Sequence, residues 1–366
     1  MNIFWFVLFV LLPVAAIAYL GWHLWILLPL ASGWKVVVIA LFTLCFLSIF
    51  LDFTSMLDRL PLPAARVLYV IGTSSLIVIL YAVMLFVVLD LGRLLHVIPR
   101  SWLVANWISA AVIFVALAGL LAYGKAHYYN KVRVRATLPT EKPIGRDYKI
   151  LMASDLHLGY HNPRRELARW VDMMNAESPD FILIAGDIID ISVRPLIEED
   201  MAQEFRRLKA PVYACLGNHE YYSNKPQAMQ FLADAGIRLL VDSVAYVAPS
   251  VAIIGRDDHG NHGRKRLREL IEGIEDSTYT IVLNHEPYNL DEAERCGIDF
   301  QFSGHTHRGQ VWPVSWVTDR LFECSWGSYQ RGSTRYYVSS GLGIWGGRFR
   351  IGTQSEYVVA ELTRTP

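Results

Sequence analysis

Apolar residues are distributed unevenly along the chain. Long apolar runs with only scattered charges occupy the first third, whereas charged and polar residues recur at the density of a soluble domain from Lys125 onward. A helix needs about 20 apolar residues to cross a bilayer. Four stretches come close to that length, at residues 3–20, 34–51, 67–91 and 104–123. This pattern predicts an N-terminal bundle of about four transmembrane helices, followed by a globular part.

The change in composition also predicts the domain organisation. We expect a transmembrane helical domain at residues 1–124, a linker at 125–147 and a globular domain at 148–366. A cleaved signal peptide is disfavoured because no lysine or arginine precedes the first apolar run. Four spans would place the N-terminus and the globular domain on one side, which carries the larger share of basic residues: Arg59, Arg66, Lys125, Lys131, Arg133 and Arg135. The positive-inside rule then predicts that the globular domain is cytoplasmic.

From Tyr148 onward, short apolar runs of strand length alternate with helical patterns, which predicts an α/β fold. Five of these runs end in a turn that contains aspartate, asparagine or histidine. They read YKILMAS before DLHLG, DFILIA before GDIID, PVYACL before GNHE, YTIVL before NHEP, and DFQFS before GHTHRG. Ligands of α/β proteins gather at the carboxyl ends of strands. These turns are therefore the predicted functional site.

The five turns supply a set of metal-binding side chains without any thiolate. Its members are Asp155, His157, Asp187, Asn218, His285, His305 and His307. Each one taken alone has an ordinary alternative, since aspartate caps helices and histidine or asparagine occupies turns. Together their oxygen and imidazole donors suit Mn²⁺, Fe or Zn²⁺ better than a structural zinc site, and the set exceeds what one tetrahedral ion uses. We predict two divalent metal ions that share a bridging carboxylate.

The ordered series D-x-H, G-D-x-x-D, G-N-H-E, N-H and G-H-x-H resembles the calcineurin-like metallophosphoesterases over about residues 148–362. The tail, GHTHRGQVWP with YYVSSGLGIWGGRFR, is most similar to their membrane-anchored bacterial branch, although Arg308 stands where that branch usually has glycine. The resemblance implies an αββα sandwich of two mixed β-sheets flanked by helices. It also implies a metal-dependent phosphoric ester hydrolase that is an integral protein of the bacterial inner membrane, and the positive-inside rule predicts that its catalytic domain is cytoplasmic.

The resemblance assigns a role to each ligand. One ion would be held by Asp155, His157 and His307, Asp187 would bridge both ions, and the second ion would be completed by Asn218, His285 and His305. The two ions would convert a shared water to hydroxide in line with the leaving group. His219 would stabilise charge and protonate the leaving oxygen, with Glu220 holding its other ring nitrogen. Asp190 either orients a ligand or caps a helix.

Fusion to a membrane domain predicts a phosphorylated, lipid-linked substrate in the bilayer, such as UDP-2,3-diacylglucosamine or a phospholipid. A membrane-tethered nucleotide or cyclic-nucleotide phosphodiesterase is the alternative, and a non-enzymatic sensor or scaffold fits the complete ligand set less well. No nucleic-acid partner is expected, because acidic and basic residues are equal in number, at 34 each. The sequence leaves open the oligomeric state and the choice between monoester and diester.

Two further groups near the last turn have alternative interpretations. The aromatic residues either pack in the core or form an apolar wall for acyl chains: Trp312, Trp316, Trp326, Tyr329 and Trp345. The arginines either bind phosphate groups or lie on the surface: Arg308, Arg331, Arg348 and Arg350. A polar insertion at residues 256–266 contains His259 and His262, which we expect to be loop residues.

Overall fold

Contacts within the chain divide it into two units, Met1–Ala126 and His127–Pro366. The computed structural model describes residues 11–54 and 56–365. The first unit is helical, and we call the second the α/β unit because it contains every described β-strand.

The first unit consists of apolar helices. They are α1 (Leu12–Leu27), α2 (Ser32–Leu47), α3 (Leu62–Leu94) and α4 (Trp107–Tyr129), with short 3₁₀ helices at Ser48–Phe53, Leu57–Arg59 and Arg100–Leu103. Three segments are long and apolar enough to cross a membrane: Ser32–Asp52, Leu62–Leu94 and Trp107–Tyr129. Length and composition therefore confirm three of the four predicted spans and indicate a membrane protein.

The first predicted span is not confirmed. Its residues 3–10 lie outside the described residues, and the described helix α1 has 16 residues. The part of the chain that the structure describes thus contains three candidate spans rather than the predicted four.

The α/β unit is built on two mixed sheets. Its strands are, in chain order, β1 (Lys131–Thr140), β2 (Tyr148–Ala153), β3 (Phe181–Ala185), β4 (Val212–Cys215), β5 (Arg238–Leu239), β6 (Ser243–Ala248), β7 (Val251–Gly255), β8 (Tyr279–Leu283), β9 (Phe300–Ser303), β10 (Gly327–Arg331), β11 (Thr334–Val338) and β12 (Ser355–Arg364). Sheet one has the order β1-β12-β2-β3-β4-β5, and sheet two has the order β10-β11-β9-β8-β7-β6. Both contain parallel and antiparallel pairs, which confirms the two mixed sheets predicted for this fold.

Short helices connect the strands. They are α5 (Arg164–Ala176), α6 (Arg194–Glu198), α7 (Met201–Phe205), α8 (Asn218–Tyr222), α9 (Lys225–Asp234), α10 (Leu267–Leu270), α11 (Leu290–Arg295) and α12 (Val314–Leu321), with a 3₁₀ turn at His307–Gly309. In α5, Leu167, Trp170 and Met174 are buried at three- and four-residue spacing, so one face of the helix packs on a sheet.

Side chains that alternate along the strands divide the interior of the α/β unit into three hydrophobic cores. In β2, Ile150 and Met152 belong to a core that also contains Phe302 of sheet two. The intervening Leu151 belongs to a different core, which includes Trp170 of α5. A third core covers the outer face of sheet two. Because successive side chains of a strand point to opposite faces, this division shows two sheets packed together with helices outside them.

Residues 125–147 do not form the linker that composition predicted. Helix α4 continues into this stretch, and β1 pairs in parallel with β12 along its 10 residues. Val134, Ala136 and Leu138 pack in the core between the sheets, and Arg133 and Arg135 alternate with them on the opposite face. The charged face of this edge strand gives residues 125–147 the composition of a linker. Apolar and polar residues nevertheless alternate in it with the two-residue period of a strand.

Candidate metal centre

Strand ends bring the predicted metal-binding side chains together. Strands β2, β3 and β4 of sheet one and β8 and β9 of sheet two each end at a turn that carries at least one of them. The turns hold Asp155, His157, Asp187, Asn218, His285, His305 and His307. Asn218 and His305 are half-buried, and the others are buried. Five segments that are distant in sequence thus meet at one edge of the sandwich.

An unusual backbone conformation is shared by most of these turns. Positive φ angles occur at Asp155 (55°), His157 (43°), Asp187 (50°), His305 (70°) and His307 (48°). Residues other than glycine rarely adopt this left-handed region, which costs about 1–3 kcal/mol where the surroundings enforce it. Their concentration here indicates that the fold holds these side chains against their local preference, as functional sites do.

Two glycines allow the turns to approach each other. A Cβ atom on Gly217 would overlap the Asp187 carboxylate, and one on Gly304 would overlap the Asp155 carboxylate. Any larger residue at either position would push a ligand turn away. The glycines that precede the asparagine-histidine pair and the two-histidine motif are therefore required by the close approach of backbone and carboxylate.

Asp155, His157 and His307 form the first group of potential ligand atoms. The Nε2 atoms of His157 and His307 lie 3.1 Å apart, and Asp155 Oδ1 lies 3.4 Å from His307 Nε2. One donor atom from each of the three residues lies within 4.8 Å of the other two. Burial raises the pKa of Asp155 and lowers the pKa of His307 well below its usual value. The site therefore disfavours charge on either group, and a cation between them would offset this penalty for the carboxylate.

Asp187, His285 and His305 form the second group. His285 Nε2 lies 3.0 Å from Asp187 Oδ2, and one donor atom from each residue lies within 4.8 Å of the other two. His305 Nδ1 lies 2.9 Å from Asn218 Oδ1, which brings the amide oxygen to the same place. The four residues implied for the second ion by the resemblance are thus neighbours in space.

Asp187 lies between the two groups. Its Oδ2 atom is 3.0 Å from His285 Nε2 in the second group and 3.7 Å from His157 Nε2 in the first. Burial opposes ionisation of Asp187, but His285 and His219 outweigh it and hold the pKa of this carboxyl well below its usual range. An ionised carboxylate that faces both groups has the position and charge that a bridging ligand requires.

The donor chemistry of both groups fits divalent metal ions. They offer carboxylate oxygens, one amide oxygen and imidazole nitrogens, a set suited to Mn²⁺, Fe or Zn²⁺. Within the described residues, neither group includes a cysteine. These residues could therefore hold two ions, with three donors on each side and Asp187 common to both.

Residues outside the two groups orient the ligand rings. His157 Nδ1 faces Asp190 Oδ1 at 3.4 Å, and His285 Nδ1 donates to the Ala185 carbonyl at 2.8 Å. These partners assign the proton to Nδ1 in both rings and leave Nε2 for a metal. Of the two roles considered for Asp190, the structure favours the orientation of a ligand over helix capping.

The structure corrects the role predicted for Glu220. Its carboxylate accepts three backbone N–H groups, from Gly217 at 2.7 Å, Ile189 at 3.0 Å and Asp187 at 3.1 Å. Burial and the neighbouring Asp187 raise the pKa of Glu220 to about 7. Because the backbone occupies both oxygens, Glu220 fixes two ligand turns and does not hold the ring of His219.

His219 lies beside the ligands with a different partner. Its Nδ1 is 3.1 Å from the Asp190 carbonyl oxygen, and its ring meets the His157 ring edge-on at 4.5 Å between centroids. His219 also forms a third cluster of potential ligand atoms together with His157 and Asp187. Burial lowers the pKa of His219. The contact with Asp190 assigns the proton to Nδ1 and leaves Nε2 available for proton transfer.

Two buried side chains that hold the ligand turns were missed by the sequence reasoning. Arg350 is fully buried and its Nη1 donates to the His307 carbonyl at 2.7 Å, so both roles considered for it, phosphate binding and surface exposure, are wrong. Asn162 Nδ2 donates to the His157 carbonyl at 3.0 Å, and Tyr128 donates its hydroxyl to Asn162 Oδ1 at 2.6 Å. Arginine and asparagine usually lie on the surface, so neither letter signals a buried role.

The aromatic residues near the last ligand turn do not all belong to the core. Trp316 is 63% exposed, and Trp312 and Trp345 are 38% and 37% exposed, so core packing is wrong for these three. Trp326 is half-buried, and the Arg308 guanidinium carbon lies 4.1 Å from the centroid of its ring. Arg308 is thereby held over an aromatic face next to the turn of the last two histidines.

Comparisons with known proteins find relatives of this chain. Residues 148–309 match the family model described as calcineurin-like phosphoesterase. The chain is 32% identical over 265 residues to an uncharacterized metallophosphoesterase of Aquifex aeolicus (strain VF5), with 68% of this chain and 98% of that protein covered. It is 30% identical over 267 residues to a transmembrane protein with metallophosphoesterase domain of Danio rerio, with 67% and 60% covered. Among solved structures, a dimetal phosphatase from Danio rerio is similar with a TM-score of 0.36 and 12% identity, over 53% of this chain and 87% of that one.

Proposed function

Because this chain belongs to the calcineurin-like metallophosphoesterases and is a phosphoric ester hydrolase, we propose that it hydrolyses a phosphoester or pyrophosphate bond of a lipid-linked substrate. Candidates are UDP-2,3-diacylglucosamine and phospholipids. We place the protein in a bacterial inner membrane with the α/β unit cytoplasmic, which is supported by the basic residues near the end of α4: Lys125, Lys131, Arg133 and Arg135. The observation that best supports a lipid-linked substrate is an exposed apolar surface near the turn that contains His305 and His307.

Helix α12 provides that surface. The helix follows the 3₁₀ turn that contains His307, and its apolar side chains are between 38% and 71% exposed. They are Val314, Trp316, Val317 and Leu321, which we call the α12 face. Several exposed apolar side chains on one short helix support a binding surface, and in a chain with membrane spans the fitting ligand is an acyl chain or the bilayer interface.

The two groups of ligand atoms are proposed to hold two divalent ions. Asp155, His157 and His307 would serve one ion, Asn218, His285 and His305 would serve the other, and Asp187 would serve both. Divalent ions held there would neutralise charge on the phosphoryl oxygens and would make hydroxide available from water at neutral pH. The protein contributes the fixed spacing of the donors, which the left-handed turns and the close glycines enforce.

His219 is proposed to supply the proton for the leaving group. The Asp190 carbonyl accepts its Nδ1 proton at 3.1 Å, which orients the ring and leaves Nε2 for the substrate oxygen. Burial lowers the pKa of this histidine, so its protonated ring is a stronger acid than an exposed imidazolium and gives up the proton readily. General acid catalysis of this kind contributes about 10²–10⁴-fold to rate.

Hydrolysis by the purified full chain in detergent micelles tests the proposal. The protein is loaded in turn with Mn²⁺, Fe²⁺ and Zn²⁺ and given UDP-2,3-diacylglucosamine, a phospholipid, cyclic AMP and soluble bis(p-nitrophenyl) phosphate. We expect metal-dependent hydrolysis that favours a lipid-linked substrate, and we expect Asp187→Asn to abolish it. Hydrolysis of soluble esters alone would refute the lipid substrate, and hydrolysis of none would refute the metal-dependent mechanism.

Variants of the α12 face separate the lipid-binding surface from the metal centre. In a protein with Trp316→Ser and Leu321→Ser, the ratio of activity on the lipid-linked substrate to activity on the soluble diester should fall about tenfold. That change corresponds to about 1.4 kcal/mol, less than the full burial of one such side chain. Tyr246→Ser on strand β6 is the matched control, because Tyr246 is 49% exposed on another part of the unit. An unchanged ratio in the double variant would exclude the α12 face as the lipid site.

A further inference from the structure

A cavity of about 190 Å³ lies in the α/β unit next to the candidate metal centre. Its walls come from the polar insertion at residues 256–266 and from the segment at residues 284–292, and we call it the insertion cavity. The insertion has no part in the proposed ligand set. Its histidines His259 and His262 belong to none of the metal-binding groups found among the described residues.

The insertion cavity adjoins the second group of ligand atoms. Two of its lining residues, Asn284 and Glu286, flank the proposed ligand His285 in sequence. The ring of Tyr288, which also lines the cavity, has its centroid 6.2 Å from that of His305. A substrate whose phosphorus lies at the metal centre can therefore extend another group into this cavity.

Four of the ten residues that line the cavity are basic, and two are acidic. Arg256 is already paired, since its Nη1 lies 3.0 Å from Glu292 Oε2. Arg264, Lys265 and Arg266 also line the cavity, and none of the three forms an ion pair with another described residue. Three positive charges without carboxylate partners around one small cavity favour the binding of an anion.

Arg264 is best placed to contact that anion. Its side chain is half-buried, and its Nη2 donates to Asn284 Oδ1 at 2.8 Å. Burial lowers the pKa of Arg264, and the neighbouring Arg256 lowers it further. A guanidinium that is partly removed from water, with an amide partner and no carboxylate partner, gains from an added anion. Its planar donors match the oxygens of a phosphate group.

Two carboxylates line the cavity, Glu286 and Glu292, and the one that is not paired with an arginine restricts where the anion can lie. Glu286 lines the cavity on the side of the metal centre, with its Oε1 3.8 Å from His305 Nε2. Repulsion from this group disfavours an anion next to it, so the anion is expected near the insertion, beside Arg264. The cavity thus has a cationic side formed by the insertion and an acidic side next to the ligand histidine.

We propose that the insertion cavity binds a second phosphate group of the substrate, held by Arg264 and by the charges of Lys265 and Arg266. The substrate class is then a phosphoester or pyrophosphate that carries more than one phosphate group. The inference rests on the proposed function, because the first phosphate is the one cleaved at the metal centre. A lipid linked through a diphosphate meets this requirement, whereas a phospholipid with a single phosphodiester has no group for the cavity.

Non-hydrolysable phosphonates test the cavity. A series of alkane-α,ω-bisphosphonates of increasing spacer length is compared with alkylphosphonates of the same lengths, at saturating metal. The readouts are inhibition of bis(p-nitrophenyl) phosphate hydrolysis and direct calorimetric binding to the metal-loaded full chain. We expect the bisphosphonate of matching length to bind about tenfold more tightly than its monophosphonate, as one added charge-assisted contact provides. Equal affinities at every spacer length would overturn the proposal.

Variants of the insertion identify the residue responsible. Arg264→Gln should remove the advantage of the bisphosphonate, Arg264→Lys should retain part of it, and Arg268→Gln is the control. Arg268 is exposed and lies outside the cavity lining. The proposal would also be overturned if a triple variant still bound the bisphosphonate more tightly than the monophosphonate by the full factor. That variant carries Arg264→Gln, Lys265→Gln and Arg266→Gln. Calorimetry reports on the cavity without turnover, so absence of hydrolysis with a retained bisphosphonate advantage would reject the proposed function alone.

Discussion

Replacement of Arg350 by methionine removes a buried guanidinium that joins separate backbone segments of the α/β unit. Arg350 donates from Nη1 to the His307 carbonyl at 2.7 Å and from Nη2 to the carbonyls of Ser340 and Gly343. Its Nε donates to Ser355 Oγ at 3.2 Å. Methionine has a comparable length and no donor, so the substitution removes the hydrogen bonds and keeps much of the packing.

The expected loss of folding stability follows from the backbone carbonyls that lose their donor. The His307 carbonyl keeps one hydrogen bond, from the backbone N–H of Gln310 at 2.9 Å. The carbonyls of Ser340 and Gly343 lose the guanidinium that reaches them. A buried acceptor without a donor costs about 1–3 kcal/mol, so two of them cost about 2–6 kcal/mol. This is a large part of the roughly 5–15 kcal/mol that stabilises a folded domain.

Urea unfolding of the full chain in detergent, followed by tryptophan fluorescence, measures this cost. Arg348→Met is the matched control, because Arg348 donates to the hydroxyl of Tyr129 at 3.0 Å and its loss is expected to cost about 0.5–1.5 kcal/mol. Arg350→Met should also weaken metal binding in calorimetry, since it removes one of the two hydrogen bonds that hold the carbonyl of His307, a proposed metal ligand. A loss of stability below about 1 kcal/mol for Arg350→Met would refute this reasoning.

Other side chains of the α/β unit have separately measurable roles. His219→Ala should lower kcat by about 10²–10⁴-fold while elemental analysis finds the metal content of the wild type; loss of metal would make His219 a ligand instead. Tyr128→Phe removes the hydrogen bond to Asn162 and should lower the free energy of unfolding by about 0.5–1.5 kcal/mol, with no change counting against the contact. The hydrogen bond from Arg133 lowers the pKa of Glu177 from 4.5 to about 2, so its stabilisation is present above pH 4.5 and lost as pH falls through about 2. Glu177→Gln should therefore lower Tm at neutral pH and leave it unchanged near pH 2, and an equal difference at both pH values would contradict the ion pair.

The candidate ligands could be predicted from the sequence because each belongs to a short local pattern. An apolar strand that ends in a turn with aspartate or histidine places its donor at the edge of a sheet whatever the remainder of the chain does. The structure brings those turns together as the resemblance implies. The function of Glu220 could not be predicted in this way, because two of its three backbone partners, in Asp187 and Ile189, lie more than 30 residues away in sequence.

The strands of the fold could be predicted where burial of their side chains leaves a clear apolar pattern in the sequence. The apolar runs of the central strands have that character because both faces of each strand are covered. Strand β1 was hidden because it lies at the edge of its sheet, where one face remains polar and gives a charged composition. Trp316 of α12 gave the opposite difficulty, since the sequence left both core packing and an apolar wall open for it and the side chain lies exposed. Composition reports how apolar a segment is, and only the packing of the chain decides what covers it.

Arg308 and Arg350 show that the sequence alone does not distinguish a buried arginine from an exposed one. The sequence offers the same two alternatives for both, phosphate binding or exposure, because a guanidinium is equally compatible with each. Four polar groups surround Arg350 and satisfy it in the interior: three lie within 10 residues of it in sequence, and the His307 carbonyl lies 43 residues away. Arg308 has a φ of 50°, a region that favours glycine, and its guanidinium lies over Trp326. Its backbone is therefore strained at a position where the sequence comparison with the bacterial branch leads one to expect glycine, directly after the proposed ligand His307, and the contact with Trp326 fixes where its guanidinium lies.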